Sequence, residues 1–267
     1  MFRLALFAAT LVFTLPPPAQ APKPPALNDL LDHVAARAQQ DDAAEQAGHE
    51  LVADEVLTVD YLKDDGSIKE HSVYIRQPVV IGGRVFMRTL SRNGQPLTGK
   101  YLAKEKDREA KFRDALAKNK ATATRRDQDE NLKIDRDLFS RFLLSLEGEE
   151  TVNGRPAWVL EFHPKPGDKP ERSRAERVVN HMAGKLWIDQ QDDEIVRVDM
   201  ALTEPITFYG VVANIRSLHF ELEQIEKYDL WLPRYTDLQL DGRALLTSLH
   251  QHVHSEFTNF RLQSDLH

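Results

Sequence analysis

Two-residue turn signals punctuate this chain, set between short alternating apolar runs, and that pattern confines most of it to antiparallel sheet. Asp65-Gly66, Asn93-Gly94 and Asn153-Gly154 each stand at the end of such a run. Asn-Gly and Asp-Gly suit the positive φ angles of a tight hairpin turn. Leu57, Val59 and Tyr61 alternate with Thr58 and Asp60 before the first signal, and Ile68 to Arg76 returns after it. Gly82-Gly83 precedes a third run, Arg84 to Leu90, which Asn93-Gly94 closes. Connections this short cannot hold the crossover that a parallel pair needs, so the reading is a meander.

The second half repeats the pattern. Glu149 to Val152 and Pro156 to His163 flank Asn153-Gly154, with Trp158, Leu160 and Phe162 on one strand face. Lys185 to Asp189 follows, then a turn at Gln190 to Asp193. Val196, Val198, Met200 and Leu202 alternate with polar residues, as do Leu218, Phe220 and Leu222. Phe208 to Ile215 is apolar and fits helix or strand. Leu230 to Leu240 contains Pro233, which argues for an edge or a bulge. Gln239 to Gly242 reads as a turn, and Leu245 to Leu262 as the last strand. Near ten strands are expected, and a sheet of that size curls rather than staying flat.

Helical period appears in few places. Leu27, Leu30, Leu31, Val34, Ala35 and Ala38 form one stripe, with Gly48 a plausible stop. Ile134, Leu138, Phe142 and Leu146 recur at intervals of four and predict an amphipathic helix. Ser173 and Glu176 make a capping box for a short helix that Gly184 should end. Residues 100 to 137 hold 12 Lys/Arg and 9 Asp/Glu, which suits a solvated helix with a narrow apolar stripe. A lid over a cleft is the alternative for this segment, taken as an insertion at about 98–134.

Composition narrows function. The net charge is -7, which argues against nucleic acid as the main partner, because phosphate binding needs a basic footprint. The chain has no Cys, which removes disulfides, thiolate metal sites, Cys nucleophiles and a lipid-modified N-terminal Cys. Residues 1–21 read as a signal peptide: Arg3 is the n-region, Leu4 to Leu15 the apolar core, and Ala19-Gln20-Ala21 the cleavage pattern. Pro22 is a poor residue just after that cut. Residues 22–26 are a proline-rich linker, and 27–267 are expected to be one domain. Export without cysteine fits the periplasm.

Chemical motifs are scarce. There is no nucleophile elbow, zinc-protease helix, P-loop or dinucleotide fingerprint. His250, His252 and His254 fall about 6.8 Å apart on one strand face. Their simplest role is a polar outer face, with a metal-dependent enzyme as the remote alternative. Asp60, Asp64 and Asp65 lack the later ligands of a calcium loop and read as a turn. No metal, cofactor or catalytic residue is assigned, and no enzyme activity is expected. The apolar faces carry more information. Trp158, Leu160, Phe162, Val196, Val198, Met200, Leu218, Phe220 and Leu222 are the candidate lining of a cavity between sheet and helices. Such a cavity would take an acyl chain at about 0.8 kcal/mol for each buried methylene.

Val152 to Phe162 resembles a strand pair of the outer-membrane lipoprotein-sorting (LolA/LolB/RseB-like) superfamily. Gly184 to Asp189, Asp192 to Arg197 and Trp231-Leu232-Pro233 resemble it too, so the likeness covers about residues 147 to 240. It implies an α+β fold: a curved antiparallel half-barrel with helices packed on its concave face, around an acyl-chain cavity. The receptor type needs a lipidated Cys and the sensor type a second domain, so the soluble periplasmic carrier type is nearest. No ligand contact of the family can be matched residue by residue. The expected function is a non-catalytic carrier or chaperone for a lipid or lipoprotein acyl chain, monomeric, working with an inner- or outer-membrane partner protein. An envelope sensor or assembly factor, holding a peptide or protein in the same groove, is the alternative.

Overall fold

The computed structural model describes residues 24–46, 51–118, 132–167, 169–208, 213–244 and 247–266. The signal segment, Pro22, Gly48, Asp168, Leu245 and the middle of the charged stretch lie outside the described residues. One open antiparallel sheet dominates, with twelve strands where about ten were expected. In chain order they are β1 (Leu51–Leu62), β2 (Ile68–Ile81), β3 (Arg84–Arg92), β4 (Gln95–Pro96), β5 (Phe142–Val152) and β6 (Arg155–Pro164). They continue as β7 (Met182–Asp189), β8 (Ile195–Leu202), β9 (Ile206–Phe208), β10 (Ala213–Lys227), β11 (Leu230–Ala244) and β12 (Thr247–Leu262). The described α-helices are α1 (Leu27–Gln46), α2 (Gly99–Lys118), α3 (Arg136–Ser140) and α4 (Arg174–Val179).

The spatial order is β4-β3-β2-β1-β12-β11-β10-β8-β7-β6-β5, with β9 paired to β10 alone. Most neighbours are consecutive hairpins. The joint between the halves is β1 on β12, from Leu51 opposite Leu262 to Tyr61 opposite Gln251. Asn153 and Gly154 both take positive φ, 50° and 82°, so the type I′ turn forms as the dipeptide predicts. Arg155 braces this turn with two bonds to the buried Asp189 carboxylate, at 2.6 and 2.8 Å, and lies over the Trp231 ring. Burial opposes the charge on Asp189, but the Arg155 bonds and two backbone N–H groups hold its carboxyl below the usual range.

Three local expectations fail for identifiable reasons. The helix expected from Ile134 to Leu146 survives only as α3, and Phe142 onwards is β5. An interval of four is even, so Phe142 and Leu146 also share one face of a strand, and ten register pairs with β6 decide the matter. Gly184 does not end a helix: α4 stops at Val179 and Gly184 lies inside β7. A Cβ there would collide with the Asp199 carbonyl oxygen, so glycine serves close strand approach. Gln239 to Gly242 is no turn either, since β11 runs through it to Ala244. Pro233 sits at a register irregularity of an interior strand, which matches the bulge rather than the edge. Phe208 to Ile215 resolves as the end of β9 and the start of β10 in its described parts.

Helices α1, α3 and α4 cover one face, here called inner, of the β5–β8 and β10 portion. Leu30, Leu31, Val34 and Ala35 of α1 pack with Phe139 of α3 onto Trp158, Leu160, Ile188 and Val198. Leu138 packs with Phe142, Phe162 and Met182, and Val178 and Val179 of α4 close against them. The outer face has its own smaller cluster of Val152, Ala157, Val159, Trp187 and Val196, with Trp231 beside it.

Helix α2 sits elsewhere. It docks on β3, near the other end of the sheet, by its charged residues. Glu105 accepts the Thr89 backbone N–H at 2.9 Å, and Arg108 donates to the Met87 carbonyl. Arg88 makes two bonds to Glu109, and Phe112 meets the buried Phe86 ring at 5.0 Å. These groups satisfy backbone donors and acceptors that an edge strand would otherwise present to another chain. Helix α2 is thus an edge cover, and of the described part of the charged segment only its last residues, Leu132 and Ile134, reach the cavity described next.

Candidate functional site: an apolar cavity under three helices

Between the inner face and the helices lies a cavity of about 170 Å³. Its walls are Leu138 and Phe139 from α3, Phe142 and Leu144 from β5, Phe162 from β6, Leu186 from β7, Ile195, Val198 and Met200 from β8 and Leu222 from β10. Leu132, Ile134 and Val179 close it from the helical side. Two polar side chains, Glu194 and Gln224, reach the wall. Cross-strand register explains the lining: Leu186 faces Val198, which faces Leu222, all on one side of the pleat.

The nine residues proposed from sequence divide into four groups. Phe162, Val198, Met200 and Leu222 line the cavity directly. Trp158 and Leu160 belong to the core beneath α1, and Leu160 has no exposed surface. Phe220 and Leu218 pack against the two inner clusters from β10 without reaching the void. Val196 lies on the outer face with Trp187 and Trp231. The register shifts there, Trp187 pairing with Arg197 but Ile188 with Ile195, so Val196 is an extra residue and the alternation breaks. Ile195 takes the inner place that strict alternation would have given Val196.

Two polar features above the cavity left no periodic trace in the sequence. Arg141 is almost fully buried and ties the helices together. It bonds Asp137 of α3 at 2.6 Å, Glu176 of α4 at 3.3 Å, Asn180 at 3.3 Å and the Pro170 carbonyl at 3.3 Å. Burial works against the Arg141 charge, but the two carboxylates hold it protonated more firmly than usual. The second feature is Glu194, between the β7–β8 turn and α1. Its carboxylate accepts from Arg37 of α1 at 3.1 Å and from Gln224 at 3.0 Å, and Gln224 also donates to the Ile195 carbonyl at 2.7 Å. Burial pushes the Glu194 carboxyl up to about 7, and Asp41, which shares Arg37, adds to the rise.

The chain is similar along most of its length to several solved structures. One is a domain named as an outer membrane lipoprotein-sorting protein from Vibrio parahaemolyticus, at 12% identity, 87% of this chain, 93% of that one and a TM-score of 0.38. Another is a DUF1329 family protein from Desulfovibrio piger, at 14% identity, 90% and 95% coverage and a TM-score of 0.34. A third is the LolA superfamily protein NE2245 from Nitrosomonas europaea, at 11% identity, 79% and 86% coverage and a TM-score of 0.27. No family model and no curated protein matches the sequence.

The imidazoles of β12 are also placed. His250 lies 2.9 Å from both Asp64 and Asp241, and His252 and His254 both reach Asp237, at 2.7 and 3.0 Å. They share the outer face, away from the cavity, each held by a carboxylate rather than by one another.

Proposed function

We propose that this chain is a periplasmic, non-catalytic carrier that takes an acyl chain of a lipid or lipoprotein into the cavity beneath α1, α3 and α4. The observation that carries the reading is the wall itself: thirteen of its fifteen lining residues are apolar. Dry apolar cavities near 150 Å³ accept benzene-sized guests. The cavity as it stands therefore holds the end of a chain, and a full chain requires the helices to part. About fourteen methylenes would contribute roughly 11 kcal/mol before ordering costs, ample to offset that opening. The export pattern of residues 1–21 supports the compartment.

Uptake of a fluorescent fatty acid by the purified protein tests the proposal, together with mass spectrometry of an organic extract. A co-purifying acylated species and saturable uptake are expected. Met200→Glu places a charge in the wall and should abolish uptake while the fold persists. A protein that yields no acylated species and takes up no probe refutes the carrier reading.

One observation favours a second reading, an envelope protein that binds a peptide or protein partner. A groove of about 520 Å³ runs between α1, α3 and β5, lined by Leu27, Leu31, Arg136, Phe139, Leu143 and Lys165. Leu143 is 56% exposed there, and the outer edge of β5 pairs with no strand among the described residues. An extended peptide could add to that edge. Crosslinking in the periplasm followed by pull-down separates the two readings by whether protein or lipid is retained.

A further inference from the structure

The outer face of the sheet gathers half of the chain's 10 histidines: His71 from β2, His219 from β10, and His250, His252 and His254 from β12. His71, His219, His252 and Asp60 fall in one cross-strand row: His219 faces Gln239, which faces His252, which faces Asp60, which faces His71. The next row carries three adjoining acidic residues, with Lys185 of β7 opposite the first of them, Asp199. Asp199 of β8 stands opposite Glu221 of β10, which stands opposite Asp237 of β11. Like charges directly opposite on neighbouring strands are destabilising, and here three adjoin. Asp237 is compensated by His252 and His254. Asp199 and Glu221 share the single imidazole of His219.

We propose that Asp199, His219 and Glu221 form a binding site for a divalent transition-metal ion of the zinc type. The His219 Nε2 atom lies 2.8 Å from Asp199 Oδ1 and 3.8 Å from Glu221 Oε1, and one ligand atom from each residue falls within 4.8 Å of the others. Ligands about 2.0–2.1 Å from a tetrahedral zinc are separated by about 3.3 Å, so a small rotamer adjustment closes the set. An imidazole with two carboxylates is a nitrogen–oxygen donor set that suits zinc and its neighbours better than magnesium or calcium. Three protein ligands leave at least one position for water or an exogenous group. The donors stand on two paired strands of the sheet interior, which fixes their spacing better than a loop would. All three side chains are about one-third exposed, so the ion has access from solvent. The site lies on the face opposite the cavity: Val198 and Leu222 point inward, and Asp199 and Glu221, one step along, point outward. It is independent of the carrier reading and survives its failure.

The test titrates zinc chloride alone into the full chain, stripped with chelator and carrying no histidine tag, by calorimetry. One ion per chain is expected, with a dissociation constant on the order of micromolar and a rise in melting temperature. Cobalt substitution should give visible d–d absorption from the same site. His219→Ala and Asp199→Asn should each weaken binding more than about tenfold, while His254→Ala leaves it unchanged. Circular dichroism melts of the metal-free variants confirm that they fold. The proposal is overturned by the lack of saturable binding up to about 100 µM zinc. It is equally overturned by binding that survives His219→Ala and disappears with His252→Ala or His254→Ala, which would place the ion on β12.

Discussion

Replacing Glu194 by Gln should make the protein more stable at alkaline pH and nearly unchanged at pH 4.5. Glu194 is 13% exposed, sits at the cavity wall and meets Arg37, which already serves Asp41. Its carboxyl is raised from 4.5 to about 7, burial being the leading cause. The folded state therefore holds the proton more tightly than the unfolded chain does. Below pH 4.5 both states are protonated and the contribution is fully present; it is lost progressively as pH rises toward 7 and is gone above it. The shift corresponds to roughly 3 kcal/mol, since each pH unit is worth about 1.36 kcal/mol. Urea unfolding of both proteins at half-unit steps from pH 4.5 to 8.5 isolates this group, because the other titrating side chains cancel in the difference. The stability gap in favour of Glu194→Gln should open between pH 4.5 and 7 and level off beyond. A gap that stays flat, or one in which the wild type gains as pH rises, would refute the claim that the buried carboxylate is penalised.

Leu160→Ala removes a side chain with no exposed surface and should cost about 2–5 kcal/mol in denaturant unfolding. Gly184→Ala should cost more than about 2 kcal/mol, because its Cβ meets the backbone of β8, which cannot move as a side chain could. Arg141→Ala leaves Asp137 and Glu176 to Arg172 alone and removes the buried bonds to Asn180 and the Pro170 carbonyl, so it should cost about 1–3 kcal/mol, with faster amide exchange in α3 and α4. Tyr228 and Asp229 hold positive φ of 56° and 60° at the β10–β11 turn, so Asn-Gly there should raise stability by about 1 kcal/mol in the same assay.

The sequence announced the hairpins because their turns are chemical: Asn153-Gly154 can do little else. It announced the inner faces of β6, β8 and β10 because alternation is local, and Trp158, Leu160, Val198 and Leu222 all fell where period two put them. What it could not carry was pairing. An apolar interval of four reads as helix or strand alike until β6 arrives beside Phe142 and Leu146. Gly184 and Gly242 look like stops in isolation and become points of close approach once the Asp199 carbonyl of β8 and the Asn214 carbonyl of β10 press on them. Val196 was misplaced by one bulged residue. Arg141 and Glu194 have no periodicity at all, since their roles are set by partners as far as 39 residues away in one case and 157 in the other.

Cavity size and helix anchoring bear on each other. A void of about 170 Å³ is smaller than the roughly 300–1,000 Å³ usual for ligand pockets, so under the carrier reading the described arrangement is a nearly closed one. Opening must move α1, α3 or both. Helix α3 has five residues and hangs on Arg141, whose bonds join it to α4, so these two move together or not at all. Helix α1 is held to the sheet by Leu30, Leu31, Val34 and Ala35 and by the Arg37–Glu194 ion pair midway along it. Burying four apolar side chains outweighs one strained ion pair, so α1 does not leave on pH alone. The acyl chain supplies what the pH cannot, because each methylene that enters covers apolar surface that the departing helix uncovers. Fatty-acid uptake by Glu194→Gln should therefore keep its chain-length dependence, each added methylene tightening binding up to about fourfold, and differ from wild type only by a constant offset above pH 7.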